Sequence, residues 1–364
     1  MADDARTARD ERGRHGGCAL PGLVIDSYNL PLKDPDGDAF LGDRASQTAF
    51  RALLQARRDD HQTGEDDPFG DTPSREVSKE RLDLVLVGGD ADAAHLMHGA
   101  IEDYARNLAD VIPVFLAQPQ WTGVRRIVLG GGFQESQTGG LAVRRTRRLL
   151  EQDGVDVELH LLGHDADDGG LLGWVHLAPD DAREHHDAFL AVDIGGTKIR
   201  CGIVKHGLQA APDGARAEVL ERTNWRHAED DPDRSEAVTQ MAGMLNGLIA
   251  QARTTGLRLA PFVGIACPGQ IRADGSIAHG AQNLPGDWEA DGFRLPEALA
   301  RRLDPVDGQP ATIVMHNDAV VQGLSELPRM RDASAWAVLT IGTGLGNASY
   351  RTLDPSASVA SSGR

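Results

Sequence analysis

The chain has 364 residues and a formal net charge of −18, with 40% hydrophobic and only 4% aromatic residues. That length suits about two domains of ~150 residues with cores built from Leu, Val, Ile and Ala, and the acidity argues against a nucleic-acid surface or an anionic membrane face. No apolar run approaches the length of a membrane span, residues 1–17 are charged rather than signal-like, and three distant cysteines, Cys18, Cys201 and Cys267, form neither a disulfide framework nor a zinc cluster, which fits a reducing cytoplasm.

Residues 1–17, rich in Asp and Arg, predict a disordered tail. Residues 22–32 (GLVIDSYNLPL) predict a strand ending at a proline, 34–38 (DPDGD) a turn, 45–57 a helix and 61–78 an acidic surface loop. The run 82–87 (LDLVLV) reads as a strand leading into Gly88 and Gly89. Residues 91–112 read as a core-facing helix with Ile101, Tyr104, Leu108 and Ile112 on one face, stopped by Pro113. A β-branched strand over 124–129 runs into Gly130, Gly131 and Gly132. Such a run serves equally a backbone approached by a nucleotide base or ribose, or a tight strand-to-helix turn. A helix over 141–152, a strand over 155–162 and a short helix over 169–177 follow. Residues 179–187 (PDDAREHHD) lack apolar periodicity and read as a linker, and the adjacent His185 and His186 cannot share a helix face, which argues against a metal site.

Residues 189–204 (FLAVDIGGTKIRCGIV) organise the rest. An apolar strand reaches Asp193, turns through Gly195 and Gly196, presents Thr197 and Lys198, and resumes as a second strand. Two glycines let a backbone approach a phosphate, or merely fit a hairpin turn of type I′ or II′. Asp193 is placed to hold a hydrated Mg²⁺, which takes only one or two carboxylates. Beyond it come a strand over 217–225, a helix over 235–254 and a buried strand over 261–268 that turns at Gly269. A loop over 283–288 has an aromatic anchor, and a helix covers 296–303. A strand over 311–315 ends at His316, Asn317 and Asp318, with a helix over 319–327 behind it. The strand 336–341 runs into a second glycine turn, Gly342, Thr343, Gly344, Leu345 and Gly346; residues 354–364 read as frayed.

Two glycine turns can cradle a nucleotide's phosphates from opposite sides, and a carboxylate between them can take a proton from an attacking hydroxyl. Those are the requirements of phosphoryl transfer. Asp318 is that carboxylate, although Asp is also a favoured helix N-cap, and the amide of Asn317 beside it can orient a polyol hydroxyl.

The runs DIGGTK at 193–198, GIACPGQI at 264–271, NLPGDW at 283–288, ND at 317–318 and GTGLG at 342–346 resemble, in order, the N-terminal half of the ROK family of sugar kinases and sugar-sensing repressors. The resemblance implies an α/β, two-lobed actin-like ATPase (ribonuclease H-like) fold. It implies Asp318 as general base, Asn317 as a sugar ligand, with Gly269, Asn283 and Asp26 on the substrate side. ATP with Mg²⁺ would lie on Gly195, Gly196, Thr197, Lys198, Gly342, Thr343, Gly344 and Gly346, with Asp193 reaching the metal through water. The stretches 127–132, 161–177 and 40–54 resemble the family's adenosine-side turn, closing helix and the helix after its zinc loop, which adds Gly130, Gly131 and Gly132 to the nucleotide site. Because these precede the phosphate motif, the expectation is a circular permutation. Its parts are a disordered tail (1–20), the family's C-terminal lobe (21–178), a linker (179–188), its N-terminal lobe (189–352) and a second tail (353–364). A fusion of unlike genes is the rival.

Where the family places a His and a cysteine cluster, residues 28–41 have neither His nor Cys, so no structural zinc is expected. The family's sugar-holding Glu positions fall loosely on Asp26, Asn29 and Gly42, and Asn347 replaces a glycine of the second turn. The favoured activity is ATP-dependent phosphorylation of a hexose or N-acetyl-hexosamine by a cytoplasmic enzyme. The partner is a small sugar rather than nucleic acid or membrane, and homodimerisation is left open. The alternative is a non-catalytic sugar or nucleotide sensor; a repressor is disfavoured, since no basic helix-turn-helix stands at the start.

Overall fold

A computed structural model describes residues 10–35, 37, 39–61, 67–89 and 91–353. The expected tails at 1–9 and 354–364, positions 36 and 38 of the expected turn and 62–66 of the expected loop lie outside the described residues. In chain order the elements are β1 (Ala19–Leu20), β2 (Leu23–Tyr28), α1 (Gln47–His61), α2 (Lys79–Gly88), α3 (Ala91–Leu116), β3 (Arg126–Gly130), α4 (Gln137–Gln152), β4 (Glu158–Leu161), α5 (Ala166–Leu172), α6 (Trp174–Leu177), α7 (Asp180–Glu184), β5 (Ala188–Ile194), β6 (Ile199–Lys205), β7 (Glu218–Trp225), α8 (His227–Asp230), α9 (Arg234–Thr255), β8 (Leu259–Cys267), α10 (Leu295–Ala300), β9 (Thr312–Asn317), α11 (Asp318–Leu324), β10 (Ala335–Ile341) and β11 (Leu345–Thr352).

The strands form two sheets of one plan. The second runs β7-β6-β5-β8-β9, the first β1-β2-β11-β10-β3-β4. In the second, β5, β6 and β7 pair antiparallel while β8 and β9 run parallel to β5. In the first, β10, β11 and β2 pair antiparallel while β3 and β4 run parallel to β10, with β1 added at the edge. Each sheet thus centres on an apolar strand that opens a hairpin through a glycine turn. The sequence order differs: in the first sheet the opening hairpin comes last in the chain, with Thr352 opposite Leu23.

Apolar surface is buried in three layers. Helices α1, α3 and α4 cover the outer face of the first sheet, and α9 covers the outer face of the second. Between the sheets lie α5, α6 and α11, with Trp174, Trp336 and Tyr350 fully buried. The two inner segments touch backbone to backbone: a Cβ on Gly173 would stand 1.7 Å from the Val321 carbonyl oxygen.

Several expectations are corrected. Residues 82–87 are not a strand but lie in α2, whose N-cap Ser78 accepts from Arg81 N. The helix buries Leu82 and Val85, three residues apart, and leaves Leu84 64% and Val87 67% exposed. Tertiary contact decided it, since the Asp83 carboxylate accepts from Gln137 N and Thr138 N at the start of α4. Pro113 does not stop α3, which runs on to bury Phe115. The supposed linker carries α7, with Ala182 buried. Residues 10–20 are ordered, because β9 is an edge strand and the preceding segment covers it: Gly16 N donates to the Met315 carbonyl (3.0 Å), Met315 N donates to His15 Nδ1 (3.0 Å) and His316 Nε2 pairs with the Gly17 carbonyl (3.0 Å). Finally, the division at 179–188 does not separate the sheets. Strands β10 and β11, placed by expectation in the 189–352 lobe, lie in the first sheet, where β11 satisfies the edge of β2.

Candidate functional site

A cleft of about 1890 Å³ opens between the sheets. Strand β5 delivers Asp193 to its wall and turns through Gly195–Lys198, closed by a Gly195 N to Lys198 carbonyl hydrogen bond of 3.0 Å. Strand β10 turns through Gly342–Gly346 on the opposite side, and both turns line the cleft. Gly195 and Gly196 do not have positive φ, so a type I′ or II′ hairpin does not explain them. Close approach does: a Cβ on Gly196 would stand 2.5 Å from Thr343 Oγ1 of the other turn. Before Gly344 there is open space, and before Gly342 only the Gly344 carbonyl at 3.8 Å. Exposed backbone facing open space is the arrangement an anion cradle requires.

Asp318 opens α11 between the turns and lines the cleft. Its Oδ1 accepts from Ala319 N at 2.9 Å, while Oδ2 has no hydrogen-bond partner among the described residues. Burial and then the neighbouring charge of Asp193 push its pKa from 3.8 up to about 7. A carboxyl poised there exchanges a proton near neutral pH, as a general base must.

The N-cap of α11 is Asn317 rather than Asp318. The Asn317 amide oxygen accepts from Ala319 N (3.0 Å) and Val320 N (3.3 Å), and its Nδ2 donates to the Gly269 carbonyl (3.0 Å). With 1% exposure it does not line the cleft, which corrects its expected place as a sugar ligand: helix capping occupies its amide. Asp26 is also absent from the lining, being paired with Arg351 on the β2–β11 face at 2.7 and 3.1 Å. Gly269, at φ +101°, and Asn283 do line it. Gly131, at φ +82°, and Gly132 line the cleft, but Gly130 does not: a Cβ there would stand 2.1 Å from Gln322 Oε1. Gly131 passes against the end of β10, where a Cβ would stand 2.3 Å from the Ile341 carbonyl oxygen. Packing therefore accounts for Gly130 and Gly131, while the Gly132 carbonyl accepts from Lys79 Nζ at 2.6 Å.

Of the charged floor, Asp193 and Lys198 were read in the sequence, but Arg200 and Asp167 were not. Arg200, in β6, lies two residues beyond Lys198, which ends the preceding turn, and that spacing of two was the available signal. Its NH1 donates to Asp193 Oδ2 at 3.0 Å and its Nε to Asp167 Oδ1 at 2.6 Å, with NH2 in ion-pair contact with the same oxygen at 2.5 Å. Lys198 Nζ donates to the other oxygen of Asp167. Burial alone raises Asp167, but Lys198 and Arg200 outweigh it and hold the carboxyl down to about 2. Burial also raises Asp193, against the pull of Arg200. Gly170 lets α5 lie this close, since a Cβ there would stand 2.4 Å from Asp193 Cγ. Nothing local marks Asp167, which the fold brings from 31 residues upstream of Lys198.

No protein-family profile and no curated protein matches the chain. Among solved structures it is similar to the Lmo2764 protein of Listeria monocytogenes (24% identity, 44% of this chain and 46% of that one, TM-score 0.31). It is similar to a ROK hexokinase of Thermus thermophilus (22%, 44% and 45%, 0.30) and to a ROK family glucokinase of Streptomyces griseus solved with glucose and AMPPNP (22%, 44% and 43%, 0.30). The chain spans less than half the length of each, and likeness at this level assigns neither activity nor substrate.

Proposed function

We propose that the protein is an ATP-dependent sugar kinase on a two-lobed actin-like fold whose lobes are circularly permuted. One observation carries the activity: a carboxyl raised to about 7, Asp318, stands in one cleft with two glycine turns that approach each other at Gly196 and Thr343. The shared strand order of the two sheets, with the opening hairpin of the first moved to the end of the sequence, supports permutation over a fusion of unlike genes.

In this reading the turns at Gly195–Lys198 and Gly342–Gly346, with Gly131 and Gly132, hold the nucleotide, and Gly269 and Asn283 face the sugar. Asp318 accepts the proton of the attacking hydroxyl at Oδ2, while its Oδ1 stays fixed by Ala319 N. ATP supplies the phosphoryl group. Mg²⁺ would neutralise developing charge on it. Asp193 Oδ2 is engaged by Arg200; among the described residues Oδ1 has no hydrogen-bond partner and no group of three or more His, Cys, Asp or Glu is placed to hold a metal ion. That donor set fits an ion that keeps most of its water and takes one carboxylate.

The test is ADP release with a panel of hexoses and N-acetyl-hexosamines; nucleotide binding without turnover on any sugar refutes the enzyme. A second reading, a sugar or nucleotide sensor without turnover, is favoured by the withdrawal of Asp26 and Asn317 from the cleft. Asp318→Asn separates the two, since it abolishes transfer by a kinase and spares binding in either.

A further inference from the structure

We infer that Arg200, with Lys198, is a phosphate-contacting cation of this cleft, and that the Asp167 carboxylate occupies the phosphate's place until a nucleotide displaces it. The inference rests on the cleft being a nucleotide phosphate site; it does not rest on the sugar or on turnover.

The geometry is that of a filled anion site. Asp167 stands at the start of α5 and receives Nε and NH2 of Arg200 on one oxygen and the Lys198 ammonium on the other. This is how a guanidinium and an ammonium together grip a phosphate. All three side chains line the cleft and are largely buried, with exposures of 19% for Asp167, 23% for Lys198 and 16% for Arg200. The cations follow directly on the Gly195–Gly196 turn, so an anion on that backbone is within their reach along β6. Asp193 holds the third guanidinium nitrogen, so two cations face two carboxylates and the cluster is formally balanced with Asp167 in place. A polyphosphate brings several negative charges and more acceptor oxygens, and so outcompetes a single carboxylate in the same partly dry site.

If Asp167 only neutralised the cations, removing it would help an anion by no more than the loss of one screened negative charge. If it holds a phosphate's place, removing it vacates a site. The experiment is calorimetric titration of the full chain with sodium tripolyphosphate and with ATP, in the absence of sugar. Asp167→Asn is expected to bind tripolyphosphate about ten-fold or more tightly than the parent, with binding weakened by salt. Arg200→Gln, its fold checked by circular dichroism, is expected to bind at least ten-fold more weakly. Equal or weaker binding by Asp167→Asn overturns the inference. Should that variant not fold, unchanged binding by Arg200→Gln overturns it equally, as does a parent chain and variant that bind no tripolyphosphate. In that last case ADP release on a sugar would leave the kinase reading standing. Tight binding by Asp167→Asn beside a parent chain inert on every sugar would leave this inference standing and remove the kinase.

Discussion

Replacing Asp318 by Asn should make the protein inactive and more stable at once. The folded carboxyl is pushed from 3.8 to about 7, mainly by burial and then by Asp193. Between those values the folded state keeps a proton that the unfolded chain has lost, so stability falls as pH rises through this window. The full displacement is worth at most about 4 kcal/mol; partial solvent contact reduces it, and ~1–3 kcal/mol is the expected gain for the amide. The amide keeps the Oδ1 acceptor for Ala319 N and loses only the charge. Urea unfolding of parent and variant should agree near pH 4, separate between pH 4 and 7, and differ by a constant amount above pH 7. In parallel, ADP release should fall by about 10²–10⁴-fold, the usual worth of a general base. The parent's rate should decline as pH drops below about 7. Equal stabilities at pH 8, or an amide variant turning over within ten-fold of the parent, would refute the account of this carboxyl.

Three further outcomes are expected. Gly196→Ala places a methyl 2.5 Å from Thr343 Oγ1, so ATP affinity by titration should fall at least ten-fold, and Thr343→Ala in the same chain should restore part of it. Gly131→Ala sets a side chain at φ +82° and against the Ile341 backbone, costing roughly 1–3 kcal/mol in urea unfolding. Asn317→Ala removes a cap and the Gly269 contact, so it should cost roughly 1–2 kcal/mol of stability; an unchanged midpoint with lost sugar binding would reinstate it as a ligand.

What could be read from the sequence was whatever is written locally. Residues 189–194, 199–204, 261–267 and 336–341 are apolar enough to be strands in any context, and they are strands. Both glycine turns were visible for the same reason, as was Asp318 at a strand end. The run 82–87, apolar but for Asp83, fits a strand and a helix equally well, and the contact that favours the helix, Asp83 accepting from Gln137 N and Thr138 N, exists only in the fold. Asn317 and Asp318 are adjacent, and local pattern does not say which caps and which faces the cleft. Asp167 could not have been found: its role exists only once α5 is laid on β6.

The order of strands in the first sheet also bears on how the chain is made. Its central pair, β10 and β11, is translated after every other described element, whereas the second sheet is complete by Asn317. On the ribosome β3 must wait roughly two hundred residues for β10, and β2 roughly three hundred for β11, at least the span of a whole domain. Such unpaired edges are aggregation hazards. The Tyr350 hydroxyl, which donates to the Val320 carbonyl at 2.9 Å, therefore clamps the helix that Asp318 opens only after every other described element has been made.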